Sequence, residues 1–476
     1  MTTLAARNTF CLLLAAIGLC ACSSLPAVVQ PPLLEQPNSD KSLGQTQVIQ
    51  AKGIMSAAGG VEKIRDVQDE GKAQLLAHHA NMLGQLGESI TADNQIKLLV
   101  DGPATFAAMF SDLDKARTSI QMESYIFEDA ALGVKIADVL KRKAAEGLQV
   151  RLIYDAVGSM STPNEFFDDL VKGGVSICKF NPVNPWFFTK AIRLNNRDHR
   201  KILIIDSSVA FAGGINISGV YSAGSSSFLR SKPSTEPDQT SADGTPEKGW
   251  RDTHIRVQGP AVADFSALYS DTWQRQGCDN PPTPIARQTT ASKGDRLITV
   301  IGSKPGDPEP RIYRTLLTAI GGAKRSVHLT MSYFVPDQQT VDFLSKAAQR
   351  GVDVKLVLQG KSDTLLVQRA GQSSYQALLD AGVEIYERQD TLLHAKTAVI
   401  DGVWSTVGSS NVDWRSFLHN DEVSAIVLGA DFGTEMENLF QTDLAHAKRI
   451  TPEAWAERGL GRRVMEWIGQ IFEYWL

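Results

Sequence analysis

The stretch HRKILIIDSSVAFAGGIN, His199 to Asn216, returns as HAKTAVIDGVWSTVGSSN, His394 to Asn411. Each copy begins with a histidine and a lysine two residues on, then runs through KILIID or KTAVID, apolar stretches of the kind that form buried strands. Residues two apart on a strand share a face, so His199 with Lys201, and His394 with Lys396, present an imidazole beside an ammonium. That pair suits an anionic phosphate ester. The lysine binds its oxygens, and the imidazole attacks phosphorus or donates a proton. Asp206 and Asp401 fall on the opposite parity at the far end of the strand, which predicts a structural or orienting task within the motif. Small residues follow in AGGIN and VGSSN. Gly214 and Ser409 allow close approach of backbone to substrate, and Asn216 and Asn411 can donate a side-chain N–H to a phosphate.

A lone H-x-K pattern is weak, because most histidines in folded proteins are structural. Here His199, Lys201, Gly213 and Asn216 all recur, as His394, Lys396, Gly408 and Asn411, at one offset of 195 residues. A shared offset at several positions marks a duplication. The flanks agree: AAEGLQVRLIYD matches AAQRGVDVKLVLQG, and Ser124–Tyr125 matches Ser332–Tyr333. Helical and strand patterns alternate around both motifs, which predicts an α/β fold of two tandem domains. Each is a mixed, mostly parallel sheet flanked by helices. The domains are expected over 95–285 and 286–450, after a tether and helical region over 22–94. Two insertions interrupt the first copy. One, after Ser218, is long and poor in apolar residues. The other, NPVNPWFFTKAIRLNN, carries Trp186, Phe187 and Phe188, placed either against lipid or in the core as anchors of the loop.

H-x-K-x4-D with G-G/S-x-N resembles the phospholipase D superfamily over roughly residues 95–450. The resemblance implies that the halves pack about a pseudo-twofold axis and share one active-site cleft. One histidine then forms a phosphohistidine while the other protonates the leaving alkoxide. It assigns His199 as nucleophile, with the two roles exchangeable. It also implies no metal or other cofactor, the lysines and asparagines supplying the charge stabilisation. Each histidine needs an orienting carboxylate on its far nitrogen. Candidates follow each motif: Asp252 after the first, Glu422 after the second. WRDTHIRVQGPAV, from Trp250, and the set Ser409, Asn411, Asp413, Arg415, Ser416, Asn420 and Glu422 are similar to bacterial cardiolipin synthases. That branch implies a phosphatidyltransferase that joins two phosphatidylglycerols, with phosphatidylethanolamine as another lipid partner. A phospholipase D using water as acceptor, a secreted nuclease and a non-enzymatic envelope lipoprotein are the alternatives.

The ends of the chain concern membranes. MTTLAARNTFCLLLAAIGLCAC has the charge pattern and apolar length of a signal peptide over 1–21. Its LCAC end resembles a lipobox, which implies lipidation of Cys22. Ser23 after it implies outer-membrane sorting of a periplasm-facing lipoprotein in the cell envelope. An ordinary signal peptide or an uncleaved anchor are the other readings. Cardiolipin synthases commonly begin with two transmembrane helices instead. At the other end, over 451–476, GRRVMEWIGQIFEYWL places Val464, Trp467, Ile468, Ile471 and Trp475 at helical spacing, an amphipathic helix either docked on the protein or lying in a membrane interface. Of the five cysteines, Cys178 and Cys278 remain once the leader and Cys22 are set aside, as a disulfide or as two buried thiols. Net charge is −5 and pI about 6.0. Nonspecific nucleic-acid binders are basic, so nucleic acid is not expected as a partner.

Overall fold

Both motif segments fold as tight hairpins in the computed structural model, which describes residues 25–29, 43–66, 70–182, 195–225, 248–286 and 291–475. Ile202–Ile205 pairs antiparallel with Val209–Gly213, and Lys396–Ile400 with Trp404–Gly408. The turn between them begins at Asp206 in one copy and Asp401 in the other, with φ of 51° and 54°. Aspartate tolerates this left-handed conformation because its short side chain bonds locally.

From each hairpin the sheet grows the same way in both halves. On one side lie three parallel strands, Ser119–Ser124, Gln149–Asp155 and Ser176–Phe180 in the first half. Ser326–Met331, Asp353–Gln359 and Glu384–Arg388 are their counterparts in the second. Helices make the crossovers, and the hairpin strand joins the first of the three antiparallel. On the other side come Thr253–Gln258 then Ile90–Val100, matched by Asn420–Leu428 then Arg296–Ser303. Within each of these half-sheets the parallel pairs are the helix-connected strands. The hairpin side is antiparallel because turns as short as IIDSSV leave no room for a crossover.

The equivalent strands Ile90–Val100 and Arg296–Ser303 pair antiparallel with each other, Arg296 opposite Asn94, where the pseudo-twofold axis runs. One apolar core is shared across it: Ile202, Ile204 and Ala212 of the first hairpin sit with Val399, Val407 and Val423 of the second half. Separate cores lie under the outer helices of each half. The helix Glu70–Gln85 belongs to the second of these, since Leu75, Leu76 and Leu83 pack with Leu316, Leu317 and Ile320. Leu25 is buried in the same core, and the Val28 N–H donates to Gln339 Oε1 at 2.9 Å. The segment read as a free tether is therefore pinned to the second half at residues 25–28. Cys178 and Cys278 form a disulfide, with Cα atoms 5.6 Å apart, tying the edge strand Ser176–Phe180 to the chain just beyond the helix Val262–Arg275. The leader, Cys22 and the Trp186–Phe188 loop lie outside the described residues.

Candidate active site

His199 and His394 stand just before their hairpin strands rather than within them. Each is held by the other half of the molecule. The His199 N–H donates to the Asp421 carbonyl at 2.9 Å, and the His394 N–H to the Arg251 carbonyl at 2.7 Å. Short parallel pairings, Asn420 with Arg197 and Arg251 with Leu393, make these cross-links two-sided. The residues after Asp421 and Arg251 are Glu422 and Asp252, so the acids cross over as well. His199 Nδ1 lies 3.0 and 3.1 Å from the Glu422 oxygens, and His394 Nδ1 lies 2.8 Å from Asp252 Oδ2. The acid that follows each motif in sequence serves the histidine of the opposite copy. Strand ends meeting across a twofold axis impose this exchange, which spacing along one half cannot reveal.

With Nδ1 occupied, Nε2 of each ring is the nitrogen left for chemistry. The Lys201 Nζ donates to the His199 carbonyl at 2.6 Å, and Lys396 repeats the bond to His394 while donating to Ser332 Oγ at 2.9 Å. Ser332 Oγ donates in turn to Asn411 Oδ1 at 2.8 Å, and the Ile126 N–H donates to Asn216 Oδ1 at 3.2 Å. Held by the carbonyl oxygen, each asparagine directs its amide N–H groups elsewhere, and Asn216 Nδ2 donates to Tyr221 Oη at 3.5 Å.

Burial dominates the electrostatics. It lowers Lys201 to about 7, against the pull of Glu422 and helped by repulsion from Lys396, and Lys396 to about 8, against the pull of Asp252 and Glu422. Burial and the two lysines push His199 well below its ordinary value, and burial with Lys396 brings His394 to about 4. The two acids differ. Burial raises Glu422 to about 7, whereas Asp252 lies below its ordinary value because His394 and Lys396 outweigh its burial. Burial is the first cause of both depressed histidines, and the lysines beside them add to it.

The remaining predicted residues lie behind this front. Asp206 accepts the N–H groups of Arg117, Thr118 and Ser119, and Asp401 those of Lys324, Arg325 and Ser326. Asp401 also binds buried His79 at 2.9 Å. Both aspartates thus lock the hairpin turn to the neighbouring strand. Ser409 Oγ donates to Glu422, and its N–H to the Val423 carbonyl. The Gly214 N–H is likewise used, by Thr253, and a Cβ there would stand 2.2 Å from Asp252 Oδ1. Gly214 and Ser409 therefore back the orienting acids, with their N–H groups spent on neighbouring carbonyls. Motif spacing missed the aromatic walls. Tyr221 Oη lies 3.0 Å from His394 Nδ1, and the Trp250 ring packs 5.4 Å from the imidazole. Tyr333 meets His394 edge-on at 6.5 Å, as Tyr125 meets His199 at 5.1 Å. The repeated Ser-Tyr pair was the available signal for the last two. Among the described residues, no cluster of three or more His, Cys, Asp or Glu side chains could hold a metal ion.

Known proteins agree with this architecture. The family model described as cardiolipin synthase, PLD-like domain, matches residues 109–221 and 316–444. A cardiolipin synthase of Listeria monocytogenes is 32% identical over 426 residues, covering 87% of this chain and 83% of that protein. One from Geobacillus thermodenitrificans is 33% identical over 398 residues, covering 83% and 75%. Among solved structures, the phosphatidylserine synthase of Haemophilus influenzae superposes with a TM-score of 0.59 at 11% identity, over 80% of this chain and 95% of that one, which speaks to the fold alone.

Proposed function

Since the chain belongs to the cardiolipin synthase, PLD-like domain family and is a phosphatidyltransferase of the phospholipase D superfamily, we propose that it joins two phosphatidylglycerols into cardiolipin and releases glycerol. Neutral His199 attacks phosphorus through Nε2. The N–P bond forms, the bond from phosphorus to the glycerol oxygen breaks, and His394 passes its Nε2 proton to that oxygen. The hydroxyl of a second phosphatidylglycerol then gives its proton back to His394 and displaces His199 from phosphorus. Lys201, Lys396, Asn216 and Asn411 hold the non-bridging oxygens throughout.

The observation that carries this reading is the crossed pair of histidine–carboxylate bonds, His199 with Glu422 and His394 with Asp252. The difference between the acids supports the allocation of roles. An Asp252 that stays ionised favours imidazolium at His394, the acid. Burial and the two lysines keep His199 neutral, the nucleophile, with its Nδ1–H given to Glu422. The bound phosphodiester supplies the negative charge that raises His394 from its low value in the empty site.

The disulfide between Cys178 and Cys278 supports a site of action in an oxidising compartment. There the enzyme faces the periplasm as an outer-membrane lipoprotein held by Cys22. Among the described residues no helix is long and apolar enough to cross a membrane. The decisive experiment gives purified protein phosphatidylglycerol alone, then with phosphatidylethanolamine, and identifies the lipid products and any phosphorus-bearing histidine by mass spectrometry. Cardiolipin and an adduct on His199 are expected. Phosphatidic acid as the only product would make the enzyme a hydrolase, and an adduct on His394 would exchange the histidine roles.

A further inference from the structure

The C-terminal helix Leu460–Ile471 is mounted with its apolar face outward. Leu460, Val464, Trp467 and Ile471, at intervals of four, three and four residues, form one stripe and are 78%, 55%, 62% and 55% exposed. The opposite side is the buried one. Gly469 meets the backbone of Ala370 so closely that a Cβ would stand 2.6 Å from its nitrogen. Glu466, 4% exposed, binds Arg458 at 3.0 Å and Arg462 at 3.6 Å, and both guanidiniums lie over the Trp455 ring, 4.6 and 4.7 Å from its centre. An amphipathic helix serving only to cover a core buries its apolar stripe. This one spends its charged face on the protein and leaves the stripe uncovered.

Its surroundings define what fits. The helix packs on Leu365–Gln372, whose first residue, Leu365, adds another apolar side chain at 55% exposure. Positive charge borders the stripe: Arg463 is exposed, and Arg369, on the helix beneath, lies near the Arg462 guanidinium. The same assembly abuts the active site. Leu365–Gln372 begins two residues after Asp363, whose carboxylate accepts the Tyr333 hydroxyl at 2.7 Å, and Tyr333 faces His394. At the far end Tyr474 packs on Trp414 and His419, in the segment between Asn411 and Glu422.

We propose that the stripe Leu460, Val464, Trp467 and Ile471, with Leu365, docks the protein on an anionic phospholipid bilayer and holds the mouth of the cleft at the membrane surface. An apolar stripe with a tryptophan and a cationic border matches a headgroup region of negative charge. The inference rests on the phosphatidyltransferase reading for its purpose, but its test does not.

The full chain is bound to vesicles of phosphatidylglycerol and brominated phosphatidylcholine, and tryptophan quenching is compared between wild type and Trp467→Phe. Docking predicts a quenched component in wild type that the variant lacks, weaker on vesicles without phosphatidylglycerol. Val464→Asp/Trp467→Asp is expected to lower turnover of phospholipid in vesicles about tenfold or more, while turnover of a short-chain soluble phosphodiester is unchanged. Identical quenching in wild type and Trp467→Phe overturns the proposal. So does sedimentation showing that wild type is a dimer that Val464→Asp/Trp467→Asp dissociates without effect on vesicles, because a second copy then covers the stripe. Quenching specific to Trp467 in a protein that produces no cardiolipin upholds the docking and removes the transferase reading.

Discussion

Replacing Asp252 by Asn tests the division of labour between the histidines. Asp252 Oδ1 accepts the Thr253 N–H at 2.7 Å while Oδ2 lies 2.8 Å from His394 Nδ1. An asparagine in this place keeps its oxygen on Thr253 and turns its NH2 toward His394. Nδ1 must then accept, and the ring's proton sits on Nε2 in a neutral tautomer that would become imidazolate on giving it up. The charge that favours imidazolium is lost as well. Removing the corresponding carboxylate from a histidine-centred triad costs about four orders of magnitude in kcat, about 5.4 kcal/mol at 1.36 kcal/mol per tenfold. A fall in kcat of roughly 10³–10⁴ is expected for Asp252→Asn with phosphatidylglycerol. A phosphatidyl ester of p-nitrophenol needs no proton on its leaving group, so its first-turnover burst should fall no more than about tenfold. Glu422→Gln, which disturbs the nucleophile, should reduce both substrates alike. Stopped-flow burst kinetics on variants with wild-type melting temperatures makes the measurement. If Asp252→Asn suppresses the p-nitrophenol burst as severely as the glycerol reaction, His394 is not the acid of the first step.

Lys201 loses its proton near pH 7 in the free enzyme and Lys396 near pH 8, so kcat/KM on a soluble phosphodiester should fall as pH rises through this range. A bound anion favours the charged lysines, so the corresponding limb of kcat should lie at higher pH; coincident limbs would exclude the lysines from substrate binding. Asp401→Ala strips three backbone N–H groups and buried His79 of their acceptor and should cost about 3–5 kcal/mol of stability in denaturant titrations. The protein that remains folded should retain near-normal turnover, and a large loss of kcat at unchanged stability would make Asp401 catalytic. Gly214→Ser should abolish activity although serine is native at the equivalent position 409, since its Cβ collides with Asp252; wild-type kcat would refute that geometry. Cys178→Ser opens a link across 100 residues and should lower unfolding free energy by on the order of 4 kcal/mol, read from urea melts with and without reductant.

Much of this molecule is legible from two short strings. The His, Lys and Asn positions of both motifs follow from a single offset, and the helix–strand alternation around them follows from apolar periodicity. What sequence conceals is contact across the axis. Nothing local says that Glu422 lies against His199, because the two are 223 residues apart and meet only when the strand ends are brought together. The packing of Glu70–Gln85 was hidden for a related reason: its His78 and His79 bond to Gly322 and Asp401, partners set by the second half alone. The C-terminal helix was legible as amphipathic. Its orientation was not, since periodicity locates an apolar face without telling which way it is turned.

The crossed histidine–acid bonds bear on ancestry. A single copy of the repeat has a histidine without its acid and an acid without its histidine, so a half-length forebear could have worked only as a symmetric pair of identical chains. Such a pair must use every residue twice: one acid in both places, one small residue behind it. Joining the copies in one chain lifts that obligation. The acids could then become Asp252 and Glu422, and the residues behind them Gly214, too tight for any side chain, and Ser409, which feeds a hydrogen bond. Fusion is what lets two positions that began identical settle at different acidities, so that each histidine can be tuned by its own acid.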